Sequence, residues 1–241
     1  MENRKHTSLK DLAQALGVSI PTVSRALKDS PEISRELCAK AKALAKEMNY
    51  RPNPFAMSLR KNAPRIIGVV VPDIVTHFFA SILNGIENMA IANGYFVIIT
   101  TSHESYEHEK RNIENLVNMR VEGIIACLSQ ETTDFSHISA LKDINMPLIL
   151  FDRVCLTDQF SSVIADGAQS AQMATQHLLD NGSKRVAFIG GANHLDIVKR
   201  RKHGYLEALR ENRIPIEKEL VVCRKIDYEE GKMATETLLS L

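Results

Sequence analysis

The 241 residues suffice for one or two domains, and at 44% hydrophobic the chain has the composition of an ordinary globular protein. Its formal net charge of +1 hides an asymmetry: residues 1–65 hold 13 Lys/Arg against 6 Asp/Glu, and the remainder holds 17 against 23. A basic head on a mildly acidic body points to a polyanion met by the head alone, with a solvated charged face as the alternative.

The opening stretch MENRKHTSLKDLA lacks the apolar segment of a secretory signal, and no apolar run approaches the roughly 18–20 residues of a membrane span. Cys38, Cys127, Cys155 and Cys223 are scattered, without zinc or redox spacing. Cys127 and Cys155 sit in apolar surroundings as inert core thiols, and the expectation is a reduced, cytoplasmic protein.

Three short helices are predicted in the first fifty residues. Ser8, with Asp11 three residues on, forms a capping box ahead of Leu9, Leu12, Ala13 and Leu16 on one face. Gly17 ends that helix, and Ser19 caps the next, in which Pro21 falls in the first turn, where no intrahelical N–H is lost. Val23, Ala26 and Leu27 give this second helix its buried side. Ser34 caps a third, with Leu37, Ala41, Leu44, Ala45 and Met48 at helical spacing. NYRPNPFAMSLRKNAPR follows, a linker by its three prolines, in which PFAMSLR could form two helical turns only against a partner.

The body alternates strands with helical patterns, which predicts a parallel, doubly wound α/β sheet. The strands are IIGVVVP (66–72), YFVIITT (95–101), GIIACL (123–128), LILFD (148–152), RVAFIGG (185–191) and LVVCRK (220–225). Helices are expected through Ile82, Ile86 and Met89, around Ile113, Leu116 and Val117, and over 167–181 and 200–212.

Residues 8–28 have the helix, tight turn, helix spacing of a helix-turn-helix unit, whose second helix enters the major groove. Arg25 suits guanine O6 and N7, a pair worth roughly 1–3 kcal/mol of discrimination. Ser19, Thr22 and Ser24 suit phosphates, which fix register, and Lys28 joins the DNA-binding set. Ile20 and Pro21 offer only thymine-methyl or shape contacts. The alternative is a small helical hairpin with incidental hydroxyls.

TSLKDLAQALGVSIPTVSRALKDSPEISRE and AKEMNYRPNPFAMSLR resemble the N-terminal domain of the lactose-repressor (LacI/GalR) family through TVSRAL, NYRPN and the A-x-x-L-R segment. IGVVVPDIVTHFFASILNGIE, RVEGIIACLS, PLILFDR and RVAFIGG continue the resemblance in order along the body. It implies a helix-turn-helix head over 1–51, a hinge over 52–64, and a body related to periplasmic sugar-binding proteins, with subdomains at 65–158 and 159–241. The recognition helix would be 20–28. Asn53, Ala56 and Leu59 match the hinge helix, where a leucine from each subunit wedges into the operator's minor groove; the alternative for Leu59 is an ordinary linker leucine. Two marginal helices that fold only when paired on DNA would be undone by a small shift in the bodies above.

In the body, Phe78 and Phe79 fall where the family lines its effector cleft, and Arg201 matches a position that clamps effector hydroxyls or carboxylates. Asp152 and Arg153 follow a strand's carboxyl end, where open α/β sheets bind ligands, and Asp166 lies at a comparable mouth position. Aromatic faces with carboxylate and guanidinium forks suit a sugar or similar metabolite. The alternatives are that both phenylalanines are core and that Asp152 and Arg153 form a structural ion pair.

No H-E-x-x-H, G-x-G-x-x-G or G-x-S-x-G motif occurs, so neither an enzyme nor a cofactor or metal site is expected. The chain stops at MATETLLSL, in a helix that the family follows with further strands, so the resemblance implies a fragment or a truncated product. The expectation is a homodimeric, sequence-specific DNA-binding regulator of a double-stranded operator, modulated by a small sugar-like effector and not membrane-bound. The runner-up is a small-molecule-binding module that has lost operator binding through truncation.

Overall fold

A computed structural model describes residues 7–50 and 65–241, which fall into two units divided at Pro64 and Arg65. In the first unit, helix α1 (Leu9–Leu16) starts at the expected capping box. Ser8 Oγ accepts from the Asp11 N–H at 3.3 Å, and the Asp11 carboxylate accepts from the Ser8 N–H at 2.8 Å. Gly17 stops it at φ +64°, a conformation that costs a residue with a Cβ about 1–2 kcal/mol. Ser19 caps α2 (Ile20–Ala26) and Ser34 caps α3 (Arg35–Glu47). Leu12, Ala13 and Val23 make one buried cluster and Ala26, Cys38 and Ala41 another, with Leu16 and Leu27 packed against both. The second helix ends at Ala26, two residues short of the 20–28 span, so Lys28 lies on the turn beyond it.

In the second unit, the apolar strand β1 (Ile66–Val71) lies within a five-stranded parallel sheet, between β2 (Phe96–Thr101) and β3 (Gly123–Ala126), with β4 (Leu148–Phe151) and β5 (Ser161–Val163) outside β3. Alternate residues of β1 point to opposite faces and into two different cores. Ile66 and Val70 pack with Ile113 and Leu116 of α5 (Tyr106–Asn118) and with Ile138 and Leu141 of α6 (Ser136–Asp143). Val69 and Val71 pack with Phe79 and Leu83 of α4 (His77–Ala92) on the other face. Helices on both faces of a parallel sheet make the doubly wound α/β arrangement. Met89, which the sequence placed on the inner side of α4, is exposed, because the buried stripe runs through Phe79, Leu83 and Ala90. β5 and α6 were not among the predicted elements. Ser161–Val163 pairs with β4, so the first sheet continues past residue 158, where the sequence divided the subdomains.

The remaining elements are α7 (Gly167–Asp180), β6 (Phe188–Gly190), α8 (Asp196–Glu211), a short 3-10 helix (Lys218–Leu220), β7 (Val221–Cys223) and α9 (Tyr228–Leu239), with β6 and β7 paired in parallel. Tyr205 of α8 is 2% exposed among Val186 and Leu209, and its hydroxyl donates to the Val186 carbonyl at 2.8 Å. Buried tyrosines need such a partner for the phenol.

Candidate functional site

Helix α2 buries Val23 and Ala26 and turns Ser19, Ile20, Pro21 and Arg25 to solvent, with Thr22 and Ser24 half-buried beside them. Ser19 Oγ accepts from the Thr22 N–H at 3.3 Å and lies 2.8 Å from Thr22 Oγ1. Only one of those two hydroxyls can donate to the other, so one O–H remains for an outside acceptor such as a phosphate. Arg25 pairs with Glu32 at 3.1 Å, both well exposed at 58% and 67%. Such a surface pair is worth about 0–1 kcal/mol, so Arg25 gives it up readily for a better acceptor. Asn53, Ala56 and Leu59 lie outside the described residues.

At the carboxyl ends of the sheet strands, three non-glycine residues take left-handed backbone conformations: His103 at φ 52°, Glu104 at 61° and Asp152 at 57°. Each such residue stores of order 1–3 kcal/mol, and they cluster where a loop is held in one shape for a purpose. The Glu104 carboxylate accepts two bonds from the Arg153 guanidinium, at 2.5 and 2.9 Å, and a third from the Gln130 N–H at 2.8 Å. Arg153 also donates to the Leu128 carbonyl at 3.2 Å and is buried. It is a structural ion pair, but with Glu104 rather than with Asp152.

Asp152 is half-buried, and burial raises its carboxyl pKa above the usual carboxylate value, an effect that Arg153 and Arg201 offset only in part. Asp166 caps α7, accepting from the Gln169 N–H at 2.9 Å. Arg201 lies over that same helix start: a Cβ on Gly167 would stand 3.3 Å from its Cγ. Asp152, Arg201 and the first turn of α7 are thus close together. The two phenylalanines part company. Phe79 is core, edge-on to Phe151 with ring centroids 6.4 Å apart, whereas Phe78 is 49% exposed.

Gln130, His194 and Ile226, none of them marked by a sequence motif, join the two sheets. Gln130 is 4% exposed; its side chain accepts from the Ile226 N–H at 2.8 Å and donates to the Ile226 carbonyl at 3.4 Å, while its own carbonyl accepts from His194 Nε2 at 2.8 Å. Behind it, the fully buried Glu109 carboxylate accepts from the Ser129 N–H at 2.5 Å and Thr132 Oγ1 at 2.9 Å, and lies 2.9 Å from His137 Nε2. A cavity of about 290 Å³ opens between these loops and the start of α8, with Leu128, Phe135 and Cys155 among its apolar walls. Among the described residues, no three His, Cys, Asp or Glu side chains could hold a metal ion.

Burial pushes the Cys127 and Cys155 thiols up to about 12. Labelling with a thiol-disulfide reagent at pH 8 should therefore modify the partly exposed Cys223 first and reach Cys127 only on unfolding. Rapid native labelling of Cys127, read by peptide mass spectrometry, would contradict this burial.

A helix-turn-helix head with a hydroxyl- and arginine-bearing second helix, followed by a doubly wound body with charged groups at its strand ends, defines a DNA-binding regulator with a ligand-binding type of body. Residues 8–53 match the family described as "Bacterial regulatory proteins, lacI family", and residues 65–241 match "Periplasmic binding proteins and sugar binding domain of LacI family". The chain belongs to the LacI family. It is a DNA-binding transcriptional regulator and not an enzyme.

Among its relatives, catabolite control protein A of Priestia megaterium is 31% identical over 97% of this chain and 70% of its own length. The probable transcriptional repressor ExuR of Bacillus subtilis (strain 168) is 33% identical over 97% of this chain and 69% of its own. The solved structure of the lac repressor dimer bound to operator and the anti-inducer ONPF is 25% identical, covers 98% of this chain and 71% of that one, and superposes with a TM-score of 0.77. The chain therefore spans about 70% of the length of the curated relatives it matches. No helix among the described residues is long and apolar enough to cross a membrane.

Proposed function

We propose that the protein acts in the cytoplasm, on chromosomal DNA, as a homodimeric repressor of a pseudo-palindromic operator. In this reading Arg25 reads a guanine edge, Ser19, Thr22, Ser24 and Lys28 hold phosphates, and Ile20 and Pro21 meet thymine methyls. Asn53, Ala56 and Leu59 form the hinge element, with Leu59 as the minor-groove wedge. The carrying observation is the solvent-facing edge of α2, where an exposed arginine and a cluster of hydroxyls stand on a helix whose other side is fully packed. The lac repressor structure, solved as a dimer on operator, supports the same assembly here.

The effector is a small, polar, sugar-like molecule bound at the carboxyl ends of the strands by Asp152 and Arg201, with the start of α7 at Asp166 as one wall. Phe78 is the one exposed aromatic of the expected pair; Phe79 and Arg153 act from behind as packing and as the anchor of Glu104.

The experiment is selection of bound sites from a random duplex pool, followed by titration of the selected site and a scrambled one at about 0.15 M salt. The expected result is a two-fold symmetric site bound at least about a thousandfold more tightly than the scrambled duplex. Equal, weak, steeply salt-dependent binding to both would leave only phosphate contacts and overturn the operator assignment.

A further inference from the structure

The turn between α2 and α3 returns a carboxylate to the arginine of the second helix. The Ser30 N–H donates to the Arg25 carbonyl at 3.1 Å, and the Ile33 N–H donates to the Ser30 carbonyl at 3.0 Å. Ile33 packs against the buried cluster of Ala26, Cys38 and Ala41. Glu32 lies between these anchors, so its place beside Arg25 is built into the head. Its Oε2 stands 3.1 Å from Arg25 Nη1. The neighbouring acids are engaged elsewhere: Asp29 accepts from Lys42 at 2.6 and 2.5 Å, and Glu36 from Lys40 at 2.8 Å. Among the described residues, Arg25 is therefore the cation that balances Glu32, and Glu32 the anion that balances Arg25.

The contact occupies one end of the guanidinium. The Nε–H and Nη2–H edge still offers two parallel donors, the fork that fits guanine O6 and N7. A guanine edge is neutral, so Arg25 can take it and keep Glu32 alongside. A phosphate is an anion. To hold one, Arg25 must leave Glu32 uncompensated against the duplex or gather two anions around one cation, and such like-charge juxtaposition is disfavoured. In water alone the pair contributes little. A duplex, with one negative charge about every 1.7 Å of its axis, gives the carboxylate its weight.

Resting on the assignment of Arg25 to a guanine edge, we propose that Glu32 is a second specificity-determining residue of the head, a positioning residue that acts through Arg25. It cancels the charge by which Arg25 would otherwise hold any phosphate and leaves free the fork that reads one base. Nonspecific attraction then falls to Lys28 and the hydroxyls of α2, while the Arg25–Glu32 pair contributes to binding only where a guanine meets it.

The test is titration of the full chain against the selected operator and a scrambled duplex, between about 0.05 and 0.2 M salt. The proteins are the wild type, Glu32→Gln, Glu32→Asp, Arg25→Ala and the Arg25→Ala/Glu32→Gln double variant. Glu32→Gln keeps the size of the side chain and removes its charge. It should bind scrambled DNA about three- to tenfold more tightly, with a salt slope steeper by about one, because the freed arginine adds a phosphate contact. Operator affinity should rise by less, so the specificity ratio falls, and Glu32→Asp should keep most of the wild-type ratio. In the Arg25→Ala background the gain should disappear. Glu32 is exposed, and melting temperatures measured alongside separate a change in binding from misfolding. An unchanged affinity and salt slope for scrambled DNA in Glu32→Gln overturns the proposal. So does an equal gain with and without Arg25, since Glu32 would then merely repel the duplex. Neither result touches the reading of Arg25, which fails if Arg25→Ala discriminates among operators as the wild type does.

Discussion

Replacing Gly204 with alanine should cost the body about 3 kcal/mol, the upper range for forcing extra volume into a packed interior. The reason is local and steric. Gly204 is buried where α8 crosses α7, and a Cβ there would stand 1.9 Å from the Ala168 carbonyl oxygen, 2.8 Å from its carbonyl carbon and 3.0 Å from the Gln172 nitrogen. All three are backbone atoms, so no side chain can swing aside, and the two helices must separate. Separation strips the packing around Tyr205 and Leu209, which fix α8 over Val186 and so set the height of Arg201 one turn earlier.

Gly85 supplies the control. It lies inside α4 with nothing within 4 Å of its Cβ position, so Gly85→Ala should stabilise by about 0.5–1 kcal/mol through helix propensity alone. Guanidinium titration followed by far-ultraviolet circular dichroism measures both. Substitutions of like sign and size would contradict the close crossing of α7 and α8.

What could be read from the residues depended on how local the determining physics was. Ser8, Gly17, Ser19 and Ser34 act on N–H and C=O groups within a few residues, so the helix ends of the head were legible and appear where expected. Strand β1 was legible because burial on both faces demands a continuous apolar run such as IIGVVV. β5 was not: SSV is short, polar and exposed, and it becomes a strand only because β4 lies beside it.

The ligand site was harder because its pairings are long-range. Arg153 was recognised as an ion-pair candidate, but its partner Glu104 lies 49 residues away on a loop. Glu109 stands on a helix whose polar composition reads as a solvent face, and it is buried only because Ser129, Thr132 and His137 converge on it from other elements. Phe78 and Phe79 were equivalent as letters; helix phase decides between them, since Phe79 lies four residues from Leu83 on the stripe that meets β1.

The central claim is that α2 reads DNA sequence through Arg25. It is tested most directly by titrating the wild-type chain and Arg25→Ala against the selected operator and against operators in which each guanine in turn is replaced. The wild type should lose about 1–3 kcal/mol at one base pair of each half-site, and Arg25→Ala should bind that substituted site and the parent operator equally, with its affinity for scrambled DNA changed far less. A variant that discriminates among the operators as the wild type does would contradict the assignment.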